Sequence, residues 1–135
     1  MKIYLAARYS RHPEMREVRD WLEERGHKVT SRWIDCHGDS GSFGQSWTAE
    51  TLNETPWVCS GHALDDAADV LAADWVISFT GGGGKGGRHT EFGIGVASDK
   101  RLIIVGSREH VFHTLPQVEH YPDWPTLQAA LDGGA

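Results

Sequence analysis

A strand, a helix and a second strand fit inside the opening stretch of the chain, and that spacing decides the fold class. Lys2–Ala7 (KIYLAA) is short and apolar and is followed by a polar turn, RYSRHP. Pro13 stands where a helix can begin, because the N–H it lacks has no partner at that position. From Pro13 to Glu24 the apolar residues Met15, Val18, Trp21 and Leu22 fall at helical spacing and form one packed stripe. Gly26 then caps the helix, and His27–Ser31 supplies the second strand. A crossover of this kind makes the two strands parallel and lays the helix over one face of the sheet.

The same alternation continues. Leu64, Ala67, Ala68 and Leu71 share a face of a helix over Ala63–Ala73, and Trp75–Phe79 (WVISF) is the third strand. A glycine loop leads into a helix over Glu91–Ser98, Arg101–Val105 is the fourth strand, Gln117–His120 a short fifth, and Pro125–Leu131 a closing helix. The expected architecture is an α/β fold: an open parallel sheet of four to five strands flanked by helices, flavodoxin-like or Rossmann-like, in the order 2-1-3-4-5. A chain of 135 residues suits one domain spanning 1–135. Residues 33–62 break the pattern. Rich in Gly, Ser, Thr, Asp and Asn, with Trp33, Trp47 and Trp57 scattered through them, they read as a long insertion forming a lid or wall, with a helix only around Trp47–Glu54. These tryptophans are candidates for stacking on a base or for anchoring the insertion; Trp21 and Trp75 read as core.

Charge narrows the partners. The net charge is −6, which disfavours a non-specific nucleic-acid binder. Residues 1–35 carry 8 basic and 6 acidic side chains, whereas 36–79 carry 7 acidic and none basic. An anion site must therefore draw on the first or last third. No apolar run reaches the length of a membrane span, the apolar run at the start is too short for a secretory signal, and Cys36 and Cys59 make no disulfide framework, so a reducing cytoplasm is expected. Cys36, His37, Cys59 and His62 are ligand types, but adjacent Cys36 and His37 suit one tetrahedral site poorly, and no metal is expected there.

The sharpest local signal is the loop TGGGGKGGRHT. Six glycines occupy the seven positions 81–87: Gly81, Gly82, Gly83, Gly84, Gly86 and Gly87. Backbone can approach a ligand closely there, and successive N–H groups before a helix make an anion nest. Lys85 is followed by glycine rather than Ser or Thr, so this is no phosphate loop of the Walker type, and it follows the third strand rather than the first, where a dinucleotide fingerprint belongs. Glu91 is placed by the sequence in the first helical turn beyond the loop, where the helix terminus favours its ionised form. An ionised carboxylate at the mouth of a glycine-walled pocket suits attack on a glycosidic carbon; a plain helix-capping glutamate is the alternative. A second carboxylate would come from Asp65, Asp66, Asp69 or Asp74, and Asp66 and Asp69 share a helix face. His89 is a candidate to face the same pocket.

Three blocks together, IYLAARYS, DAADVLAADWVISF and GGRHTEFGIGVASDKRLIIVG, resemble the nucleoside 2-deoxyribosyltransferase superfamily, closest in type to the 2'-deoxynucleoside 5'-monophosphate N-glycosidases. The resemblance implies that Glu91 is the nucleophile attacking C1' of the sugar, that Asp66 assists departure of the base, and that Tyr4 positions the nucleophile. Phosphate-binding members carry a serine in the loop, where this chain has Lys85 and Arg88. Those cations, with Arg8, Ser10 and the loop residues Gly83, Gly84, Gly86 and Gly87, would receive a 5'-phosphate. Transferase members use a C-terminal asparagine from a neighbouring subunit, and no asparagine follows Asn53 here.

The expected activity is therefore hydrolysis of the N-glycosidic bond of a deoxynucleoside monophosphate through a glycosyl-enzyme intermediate, without metal or organic cofactor. The alternatives are base exchange by a deoxyribosyltransferase, a ribonucleotide phosphoribohydrolase of the cytokinin-activating type, whose glycine loop is similar, and a nucleotide-binding module without catalysis. The expected partners are a small nucleotide or nucleoside and a second copy of the chain in a homodimer or higher homo-oligomer, with neither nucleic acid nor membrane.

Overall fold

The computed structural model describes residues 1–35, 49–83 and 86–133. Five strands, β1 (Lys2–Ala6), β2 (Lys28–Val29), β3 (Trp75–Phe79), β4 (Arg101–Val105) and β5 (Val118–Tyr121), form one all-parallel sheet in the order β2-β1-β3-β4-β5. The helices are α1 (His12–Glu23), α2 (Ala49–Glu54), α3 (Pro56–Ala72), α4 (Gly87–Ala97) and α5 (Trp124–Gly133). Short 3-10 turns occupy Tyr9–Arg11, Arg32–Asp35 and Val111–Thr114. The α/β class and the strand order are as the sequence pattern predicts. The order changes direction between β1 and β3, which opens a crevice at the carboxyl ends of those two strands.

Ile3 to Ala6, all five residues of β3 and Leu102 to Val105 are buried, as expected of central strands covered on both faces. The helix α1 buries Met15, Val18 and Leu22. Trp21 lies at the flank, edge-on to Trp124 with centroids 5.3 Å apart and the Arg25 guanidinium 3.5 Å above its ring. Asp74, one of the four candidate carboxylates, serves the sheet instead: its Oδ2 accepts from the Lys2 N–H at 2.8 Å and its own N–H donates to the Lys2 carbonyl. This clamp fixes the register of β1 against β3.

Most boundaries fall within one or two residues of the sequence expectation; three elements depart from it in ways that matter. The second strand is two residues rather than five, because side chains take over the ladder: Ser31 Oγ accepts from Leu5 N–H at 2.7 Å, and Trp33 Nε1 donates to the Leu5 carbonyl at 2.9 Å. Trp33 is thus a buried anchor. The helix α3 starts at Pro56, seven residues before Ala63, with proline in its first turn where no N–H is needed. The described parts of 33–62 are consequently largely helical, and Trp57 sits 70 % exposed on α3. Cys36, His37 and Trp47 lie outside the described residues. Finally, α4 starts at Gly87, after Gly86 takes φ +91 as its N-cap, a left-handed conformation that favours glycine.

Candidate active site

The switch between β1 and β3 brings Tyr4 and Glu91 together. Tyr4 is fully buried on β1, and its hydroxyl donates to Glu91 Oε2 at 2.5 Å, across 87 residues of chain. Glu91 is half-buried, and its Oε1 has no hydrogen bond from any described residue. Because α4 begins at Gly87, Glu91 is its fifth residue rather than part of its first turn. The helix terminus therefore does little for its charge. Burial dominates and raises the Glu91 carboxyl to about 8; the Tyr4 hydrogen bond pulls it down, and nearby Asp66 and Asp69 push it up. At neutral pH the protonated form prevails, against the ionised form expected from position alone. Burial first, then the Glu91 and Asp66 charges, hold the Tyr4 hydroxyl well above the usual tyrosine range, so it stays a donor.

The helix α3 packs beside α4 and carries the acidic group. Asp66 is half-buried and rises to about 6, through burial and then the charges of Asp69 and Asp65, with Arg32 opposing. It makes no hydrogen bond or ion pair among the described residues. Its neighbour one turn on is committed elsewhere: buried Asp69 accepts from the Arg32 backbone N–H at 3.1 Å and from Arg32 Nε at 3.0 Å, and pairs with Nη2 at 2.9 Å. Asp65 lies 3.4 Å from the same guanidinium. Of the four aspartates, Asp66 is the one without a hydrogen bond or ion pair among the described residues, and its charge is felt at Glu91.

The described part of the glycine turn presents carbonyls to arginines. Gly81, Gly82, Gly83 and Gly86 all have positive φ. Arg8 donates to the Gly82 carbonyl, Arg11 Nη1 to the Thr80 carbonyl at 3.1 Å, and Arg88 Nη1 to the Gly83 carbonyl. Arg88 is buried and also pairs with Glu109 Oε1 at 2.9 Å, while Glu109 Oε2 accepts from the Gly81 N–H. Arg8 and Ser10 are exposed at the rim, and Gly87 opens α4. Gly84 and Lys85 lie outside the described residues. His89 does not join Glu91; its ring meets those of His110 and His113. Sequence reasoning missed Glu109, which ties two arms of the turn together. It follows β4, whose carboxyl end borders the same crevice, and scanning every loop at that edge would have found it.

No protein-family profile matches the sequence, and no curated protein matches it. Among solved structures the protein is similar to Clostridium botulinum CMP N-glycosidase, BcmB, with a TM-score of 0.63, 19 % sequence identity and coverage of 100 % of both chains.

Proposed function

We propose that the protein is a nucleotide N-glycosidase that hydrolyses the base–sugar bond of a 2'-deoxynucleoside 5'-monophosphate. The observation that carries this is the Tyr4–Glu91 hydrogen bond beside Asp66: one buried donor orients a carboxylate whose other oxygen accepts from no described residue, next to a second carboxyl that titrates apart from it. Glu91 Oε1 attacks C1', the bond from C1' to the base nitrogen breaks with its electron pair going to the nitrogen, and Asp66 delivers the proton that neutralises the leaving base. Water then attacks C1' of the glycosyl ester, Asp66 takes its proton, and the sugar phosphate leaves with Glu91 restored. The pair holds one proton near neutral pH, and in the free protein that proton rests mainly on Glu91. Productive attack uses the tautomer in which it rests on Asp66, so positive charge developing at C1' draws the ionised Glu91 into use. Arg8, Ser10, Lys85 and Arg88, with the loop backbone of Gly83, Gly84, Gly86 and Gly87, are placed in the phosphate role; Arg8 and Arg88 exchange glycine carbonyls for phosphate oxygens on binding.

A ribonucleotide is the second reading, favoured by the CMP named for the similar solved structure. Base release from CMP, dCMP and the purine monophosphates and deoxymonophosphates, measured chromatographically against the free nucleosides, separates the two. Glu91→Gln should lower release roughly a thousandfold or more. Undiminished release by that variant, or none from any of these substrates by folded wild-type protein, overturns the assignment. A homodimer would bury the apolar seam of Trp57, Leu64 and Leu71 on α3; Leu64→Asp should then lower the mass measured by light scattering to that of one chain.

A further inference from the structure

Beside the glycine turn the fold gathers three histidines. His89 comes from the first turn of α4, His110 and His113 from the loop and 3-10 turn after β4. One ligand nitrogen from each lies within 4.8 Å of the others. His110 Nε2 and His89 Nδ1 are 3.2 Å apart. Two imidazoles on one zinc ion, each bound at ~2.0–2.1 Å, hold their nitrogens at roughly this spacing.

Hydrogen bonding leaves the cluster incomplete. His113 is 1 % exposed, and its Nδ1 accepts from the Glu109 backbone N–H at 3.0 Å. The neutral ring then carries its proton on Nε2, which is buried without a partner among the described residues, as is His110 Nδ1. Groups so enclosed are ordinarily satisfied by protein, water or an ion. The far nitrogen of His89, Nε2, lies 3.7 Å from Glu109 Oε1, the disposition of a carboxylate behind a metal-bound imidazole.

We propose that His89, His110 and His113 form a binding site for a divalent transition-metal ion of the zinc class, held by three imidazoles and backed by Glu109. Imidazole donors select zinc, cobalt, nickel or copper over calcium and magnesium. The ion joins the start of α4 to the loop after β4 and so braces the glycine turn that both flank; it stands apart from the glycosidic chemistry and does not depend on it. Coordination through His113 Nε2 requires the proton on Nδ1, so the Glu109 N–H must release that ring, which gives the site its own signature.

The full-length protein, stripped with chelator and dialysed against zinc chloride, should retain one zinc per chain by elemental analysis. His89→Ala and His110→Ala should each abolish stoichiometric binding while leaving the metal-free circular dichroism unchanged, and Glu109→Gln should weaken it roughly 10–100-fold. Cys36→Ser with Cys59→Ser should leave it intact, and the cobalt derivative should show visible ligand-field bands without thiolate charge transfer. Zinc should also shift the His113 ring nitrogens and speed exchange of the Glu109 amide in NMR spectra. Absence of stoichiometric zinc, binding that survives loss of His89 and His110, or a thiolate band in the cobalt protein overturns the site.

Discussion

Replacing Glu91 by glutamine keeps the side chain's shape and an acceptor for the Tyr4 hydroxyl but removes the ionisation. In the unfolded chain a glutamate loses its proton near 4.5, whereas burial delays this to about 8 in the folded protein. Between those values the native state binds a proton that the unfolded chain does not. This group's contribution to stability is therefore full below 4.5, declines as pH rises, and is lost above about 8. At ~1.4 kcal/mol per pH unit the window sets a ceiling of about 5 kcal/mol. Water reaches a half-buried side chain and screens it, which reduces the expected difference to about 1–3 kcal/mol. Asp66, with its carboxyl raised to about 6, adds a decline of the same sign, so the comparison is between variant and wild type rather than across pH alone. Urea unfolding at about pH 5 and about pH 8 reads the difference as a midpoint shift at constant m-value. Wild type should lose about 1–3 kcal/mol more than Glu91→Gln over that interval, leaving the variant the more stable protein at the alkaline end. Parallel pH profiles for the two proteins would refute a buried, proton-retaining Glu91.

Tyr4→Phe removes the one hydrogen bond that draws the Glu91 carboxyl down. Base release at neutral pH should fall about 10–100-fold, the worth of a hydrogen bond to a charged group, and the alkaline limb of the rate profile, set by loss of the pair's one proton, should move to higher pH; a loss with that limb unmoved would mean that Tyr4 acts by packing alone. Two glycines of α4 should respond oppositely to alanine. At Gly95 a Cβ would meet Val76 Cγ2 at 2.9 Å and Leu102 Cδ2 at 3.0 Å, so Gly95→Ala should destabilise by about 1–3 kcal/mol. At Gly93 a Cβ meets nothing within 4 Å, and Gly93→Ala should stabilise by about 0.5–1 kcal/mol. Thermal melts of the two variants check both signs.

The parallel sheet was legible because its strands are separate apolar runs joined by helical stripes, a pattern set by local spacing. Tyr4, Asp66 and Glu91 were legible as candidates because each sits in a recognisable block. Their ionisation was not: whether Glu91 holds a proton depends on how deeply α4 packs, and that depends on where the helix starts, a detail decided by the left-handed Gly86. Residues working through long-range pairing were also hidden. Asp69 looked interchangeable with Asp66 until Arg32 was seen to occupy it. His89, His110 and His113 show no common spacing along the chain, since their meeting is a product of β4 lying beside β3.

The placement of β1 beside β3 has a consequence during biosynthesis. The first strand leaves the ribosome well before its main neighbour, which begins at Trp75, and among described strands only the two-residue β2 can pair with it in between. Until that segment is made, the apolar stretch Ile3–Leu5 has few pairing partners, so the central pairing of the sheet forms late and over a long separation in the chain. Once β3 arrives, Asp74 brings its own clasp for Lys2 at the very edge of the arriving strand, closing the wait in a single local event.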